Sequence, residues 1–162
     1  MAFNNDPAIP VTRRFAVVNA YSDDGIALPS RQTRNSAGYD LAAAADCICP
    51  PGEITLIPTG LKVYMPADEF LAIALRSSLP RKFGLVLANG LGIIDSDYVD
   101  NPDNEGHFMI QVLNISKEPV IISKGERLAQ GIFMKYQVVT EEDTPLGERL
   151  GGWGSTDKKK DS

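Results

Sequence analysis

Long apolar runs are missing from this chain. Nothing in its 162 residues approaches the roughly 20 consecutive apolar residues of a membrane-spanning helix. The opening, MAFNNDPAIPVTRR, lacks the basic-then-apolar order of a secretory signal, and a cytoplasmic protein is expected. Positive charge is also short. A formal charge of −5 argues against a broad nucleic-acid surface, although small phosphate sites of arginine and backbone amides remain open. The lysines 158–160, bracketed by Asp157 and Asp161, read as a solvated end. The only two cysteines, Cys47 and Cys49, are too close for an unstrained disulfide and too few for a metal site. They read as reduced thiols on one face of an extended segment. No GxxxxGK[ST] loop is present, which excludes P-loop chemistry, and no long helical periodicity supports an α/β nucleotide fold. Tryptophan occurs once, as Trp153 between glycines, where nothing local can bury it.

Short β-branched and apolar runs fill the rest. FAVVNAY, ITLIPTGLKVYM, FLAIALR, GLVLANGLGIID, HFMIQVLNIS and VIISKGERLAQGIFMKYQVV are separated by glycine, proline, asparagine and aspartate. That spacing predicts an all-β sandwich or barrel. Flanking Pro66 and Pro80 favour strands over helices for GLKVYM and FLAIALR. SSLPRKF is the one plausible helix, with a serine able to cap it and proline tolerated in the first turn. After about residue 139 the chain turns polar and glycine-rich. The expected organisation is one domain over 1–139 and a C-terminal arm over 140–162.

Four stretches carry candidate chemistry. In GIIDSDYVD, Asp95 and Asp97 alternate on what reads as an extended segment, so one can face a pocket and orient a water while the other faces solvent. A surface turn rich in aspartate explains the same residues. In ALRSSLPRKFG, Arg76 offers a fork of donors and Ser77 and Ser78 add hydroxyls for an anion. An ordinary N-cap beside a surface arginine is the bland alternative. In RNSAGYDLAAAA, small residues around Gly38 allow close backbone approach and Asp40 supplies an acid. In KGERLAQGIF, Gln130 sits among apolar residues, where a buried amide is often only satisfied structurally.

Together with the tail, these motifs run in the order SAGYDL, RSSLPRKFG, NGLGIIDSDY, GERLAQGIF, GGWGST. That order resembles the trimeric, all-β dUTPase family, over nearly the whole chain from Phe15 to Thr156. The resemblance implies a jelly-roll-like distorted β-barrel with one short helix and a mobile C-terminal arm. It implies a homotrimer with three shared active sites, each drawing motifs from all three subunits. The implied reaction converts dUTP to dUMP and pyrophosphate by water attack on the α-phosphate. Uracil incorporation into DNA is thereby limited, and dUMP is supplied for dTMP synthesis.

The same resemblance assigns roles. Asp95 becomes the general base, with Asp97 its structural neighbour. Asn89 begins a β-hairpin that reads uracil largely through backbone groups, and Tyr98 lies under the deoxyribose. Arg76, Ser77 and Ser78 bind phosphates, with Ser77 at the α/β bridge, and Gln130 lies near the α-phosphate. Asp40 touches Mg²⁺ through water, the ion being held mainly by the three phosphates. Trp153 stacks on the uracil as a lid, with Ser155 and Thr156 on the γ-phosphate. Two departures stand out. Glu148 occupies the family's arginine position, leaving Arg149 one residue later as the γ-phosphate ligand. VDNPDNEGH inserts several residues after Tyr98, as a longer surface loop, a trimer contact involving His107, or a docking loop for a regulatory protein. The rival readings are a dCTP deaminase of related fold, a nucleotide-responsive binding module, and a jelly roll without catalysis.

Overall fold

Strand-forming residues dominate the structure, a computed structural model that describes residues 12–141 and Gly147. Among the described residues ten strands form: β1 (Arg14–Val17), β2 (Tyr39–Ala42), β3 (Cys47–Cys49), β4 (Ile54–Tyr64), β5 (Glu69–Leu75), β6 (Leu85–Leu87), β7 (Gly92–Asp95), β8 (Phe108–Asn114), β9 (Val120–Ile122) and β10 (Arg127–Lys135). The one α-helix among the described residues, α1, spans Ser78–Phe83. Two four-stranded antiparallel sheets, β1-β4-β8-β6 and β2-β10-β5-β7, and a small β3-β9 pair make an all-β, jelly-roll-like barrel.

Alternation drives the packing. In β8 the residues Phe108, Ile110, Val112 and Asn114 are buried in turn, while those between are half-buried. Phe108, Ile110 and Val112 meet Leu41, Leu71, Ile73 and Leu128 from the second sheet in one core. Asn114 is fully buried yet satisfied. Its amide nitrogen donates to the carbonyls of Cys49 and Glu118 at 2.8 Å, and its oxygen accepts from the Ser116 amide. The cysteines follow the sequence reading. Both are free and lie on one side of β3, with Ile48 exposed between them. Burial pushes both thiols above their ordinary pKa.

Helix α1 differs from expectation at its start. Ser77 holds the cap position but has helical dihedrals, and its side chain makes no capping hydrogen bond. Leu79 anchors the helix in the core, and Gly84 ends it in a left-handed conformation.

Strand β4 carries a bulge between Pro58 and Leu61. Here the Thr59 hydroxyl donates to the Phe108 carbonyl at 2.5 Å, and the Gly60 amide donates to Nε2 of His107 at 2.9 Å. The bulge is therefore closed by the only histidine. His107 is buried against the Tyr21 ring.

Candidate active site

Strands β6 and β7 are consecutive but do not pair. Leu85–Leu87 pairs with β8 in one sheet, and Gly92–Asp95 pairs with β5 in the other. The expected hairpin at Asn89 is therefore an arch whose two legs stand in different sheets. Its crown is a tight turn, with Gly90 N–H donating to the Leu87 carbonyl at 3.1 Å. Beneath it opens a cleft of about 190 Å³ lined by Asn89, Asp95, Tyr98 and Gln111, with Ile73 and Phe108 at its base. Splaying the legs is what makes this room, since a closed hairpin would fill it with its own backbone.

Asp95 ends β7, exposed at the cleft, and the chain then turns into a 3-10 helix over Ser96–Tyr98. Asp97 lies in that turn rather than on the extended segment, so strand alternation does not set its direction. Tyr98 is buried, its hydroxyl donating to the His107 carbonyl at 3.2 Å. The third motif thus delivers a carboxylate, a phenol ring and the Asn89 turn to one place.

A second cluster forms elsewhere. Asp40 opposes Gln130 across β2 and β10, and Gln130 opposes Ala74 of β5. Oδ2 of Asp40 accepts from Nη1 of Arg127 at 3.0 Å, and Nε of Arg76 stands 3.9 Å from Oδ1. The first, second and fourth motifs converge on one end of this sheet. Sequence reasoning missed Arg127. It reaches Asp40 because β10 shifts register between Arg127 and Ala129, and nothing in the sequence marks that shift. Ser77 is exposed and Ser78 half-buried at the neighbouring helix start. A further cleft of about 240 Å³ borders Asp40 and Arg127.

The two clusters do not meet within one chain. Opposed residues in an antiparallel sheet share a face, so Gln130 and Asp40 lie on the side away from Leu71 and Ile73, whereas Asp95, the last residue of β7, lines the cleft that Ile73 also lines. Asp95 is level with Phe70 and Gln130 with Ala74, an offset of about 13 Å along β5, and the two strands flank β5 on opposite sides. No residue of the second cluster's motifs lines the Asn89 cleft.

The insertion after Tyr98 is packed, not loose. Lys62 donates to Asp100 at 2.6 Å and to Glu105 at 2.7 Å, and the Tyr64 hydroxyl donates to Asp100 at 2.7 Å. Burial works against the Lys62 charge, yet the two carboxylates raise its pKa above the ordinary value. His107, expected as a possible subunit contact, is buried in its own chain, where it accepts from Gly60. Among the described residues, no group of three or more His, Cys, Asp or Glu side chains could hold a metal ion. Asp40 faces two guanidinium groups, those of Arg76 and Arg127. Arg149, Trp153, Ser155 and Thr156 lie outside the described residues. Among those described, no helix is long and apolar enough to cross a membrane.

The chain is similar to known proteins in sequence and in fold. A model of the dUTPase family matches residues 24–156. A deoxyuridine 5'-triphosphate nucleotidohydrolase of Lactococcus lactis is 54% identical over 145 residues, which is 89% of this chain and 97% of that protein. The crystal structure of a dUTPase from Streptococcus mutans superposes with a TM-score of 0.76 at 44% identity, covering 79% of this chain and 99% of that one. A mutant dUTPase from phage phi11 of S. aureus, described with a structural Mg(II) ion, shares the fold with a TM-score of 0.68 at 21% identity over 85% and 99% of the two chains. The arch, the two residue clusters and these matches converge: the chain belongs to the dUTPase family.

Proposed function

We propose that this chain hydrolyses dUTP to dUMP and pyrophosphate, with the chemistry centred on the Asn89–Asp95–Tyr98 cleft. The observation that carries the site assignment is the placing of Asp95 and Tyr98 on one 190 Å³ cleft beneath the Asn89 turn. The turn receives the uracil edge through backbone groups and rejects thymine by clash with its methyl. Tyr98 supports the deoxyribose. Asp95 takes a proton from water as its oxygen attacks the α-phosphorus, and the bond from that phosphorus to the bridging oxygen breaks. Arg76, Ser77 and Ser78 hold the phosphates and stabilise the charge on the departing pyrophosphate, with Gln130 beside the α-phosphate. Ser77 is suited to this because its hydroxyl makes no helix-capping bond.

Asp40 would face, through water, an Mg²⁺ ion carried by the triphosphate, and the ion would neutralise phosphate charge. A homotrimer completes the site. Support comes from the separation of the two clusters within one chain, and from exposed Ile93 and Met134 on the same outer sheet face. The C-terminal segment from residue 140 closes the site, with Trp153 over the uracil and Arg149, Ser155 and Thr156 on the γ-phosphate. The cytoplasm is the proposed compartment, in keeping with two unpaired thiols.

Pyrophosphate release with Mg²⁺, supplying dUTP, dCTP, dTTP and UTP in parallel, tests the reading. Release from dUTP alone is expected. Ammonia release from dCTP would instead establish the deaminase.

A further inference from the structure

We propose that Asn104, within the insertion, is a positioning residue for Tyr98, and that the loop thereby sets discrimination against ribonucleotides. The proposal rests on Tyr98 as the residue beneath the sugar.

Tyr98 lines the cleft, and its hydroxyl is held by the loop. Nδ2 of Asn104 donates to that hydroxyl at 2.7 Å and to the His107 carbonyl at 3.3 Å. Oδ1 of Asn104 accepts from Asn101 Nδ2 at 2.8 Å and from the Gly106 amide at 3.1 Å. Both amide hydrogens and both acceptor directions of Asn104 are therefore used, which fixes the amide's orientation. The hydroxyl in turn donates a hydrogen bond to the His107 carbonyl.

The loop is braced in turn. Asn101, buried, donates to the Tyr98 carbonyl and accepts from the amides of Asp103 and Asn104. Gly106 has φ 84°, and a β-carbon there would lie 2.7 Å from the Val99 Cα, so the loop's two ends cross in contact. Lys62 ties Asp100 and Glu105 to β4, and the Asn19 amide donates to Glu105 at 2.9 Å. The 3-10 turn after β7 carries Tyr98 to the cleft, and the loop sets the height of its ring. Rejection of a 2′-hydroxyl is steric and so depends steeply on that height.

The test compares kcat/KM for dUTP and UTP in the wild-type chain, Asn104→Ala, Tyr98→Phe and the double variant, with thermal midpoints measured alongside. Asn104→Ala is expected to lower the dUTP/UTP ratio about tenfold, mainly by raising kcat/KM for UTP. Tyr98→Phe should lower it at least as much, and the double variant should fall no further than Tyr98→Phe alone. An unchanged ratio in Asn104→Ala, equal slowing of both substrates, or effects that multiply would each overturn the proposal. Should Asn104→Ala not fold, Asn104→Ser carries the same expectation. A wild-type chain that fails to cleave dUTP overturns the activity itself, a result distinct from failure of the strut.

Discussion

Gly38 packs against Gln130 so closely that a β-carbon on Gly38 would sit 2.8 Å from Cβ of Gln130. Gly38 directly precedes β2, and Gln130 lies on β10 opposite Asp40. The small residue of one motif therefore makes the space for the amide of another. No such pairing can be read from two stretches separated by some 90 positions.

Gly38→Ala should consequently be an activity variant more than a stability variant. The added methyl forces Gln130 off its rotamer or pushes β2 away, at about 1–3 kcal/mol of overpacking. A displacement of the amide near 1 Å is expected to lower kcat/KM for dUTP about 100-fold. Steady-state kinetics and a thermal melt on the same preparation check both halves. Unchanged kinetics would remove Gln130 from the reaction.

Asp95→Asn should retain binding of a non-hydrolysable dUTP analogue while kcat falls about 10²–10⁴-fold, because the amide cannot accept the water's proton. Calorimetric binding and single-turnover rates separate the two effects. Retained turnover would take the base role away from Asp95.

Trp153→Ala should raise KM for dUTP and lower kcat/KM without moving the thermal midpoint. A stacking side chain on bound base contributes on the order of 1–3 kcal/mol. An unchanged KM would make the lid assignment wrong.

His107 gives the fold an acid-side weakness. Burial holds its pKa below the ordinary 6.5, with Glu105 pulling weakly the other way. The unfolded chain thus binds this proton at higher pH than the folded one. Stability from the neutral imidazole is complete above about pH 6.5 and is lost as pH falls below that value. His107→Gln keeps an acceptor for the Gly60 amide and does not titrate. Urea midpoints measured from pH 7.5 to 5 should fall less steeply in that variant than in the wild type. Parallel slopes would show that His107 is not the titrating group.

Much of the site was legible in the chain, though unevenly. Asp95, Tyr98 and Asn89 were found as a motif and share one cleft, and Asp40, Arg76 and Gln130 were found separately and form one cluster. Asp97 was misplaced because a strand pattern does not announce where it turns into a 3-10 helix. The hairpin at Asn89 was expected from the family resemblance, yet β6 and β7 do not pair with each other and each pairs with a strand of a different sheet. The insertion read as surface loop because its residues are polar. Asparagine side chains can replace an apolar core by satisfying one another's hydrogen bonds, and here they do.

The amino-acid sequence by itself determined the β-class, through period-two alternation and turn residues, and the family, through five short motifs in order. Those are properties of local spacing, which one dimension preserves. Only the tertiary structure decided that the motifs form two clusters rather than one, that Arg127 joins Asp40, and that Asn104 holds Tyr98. Each of those contacts depends on strand order, on a register shift or on a loop folding back. Such long-range pairings arise when buried polar groups must find hydrogen-bond partners in three dimensions.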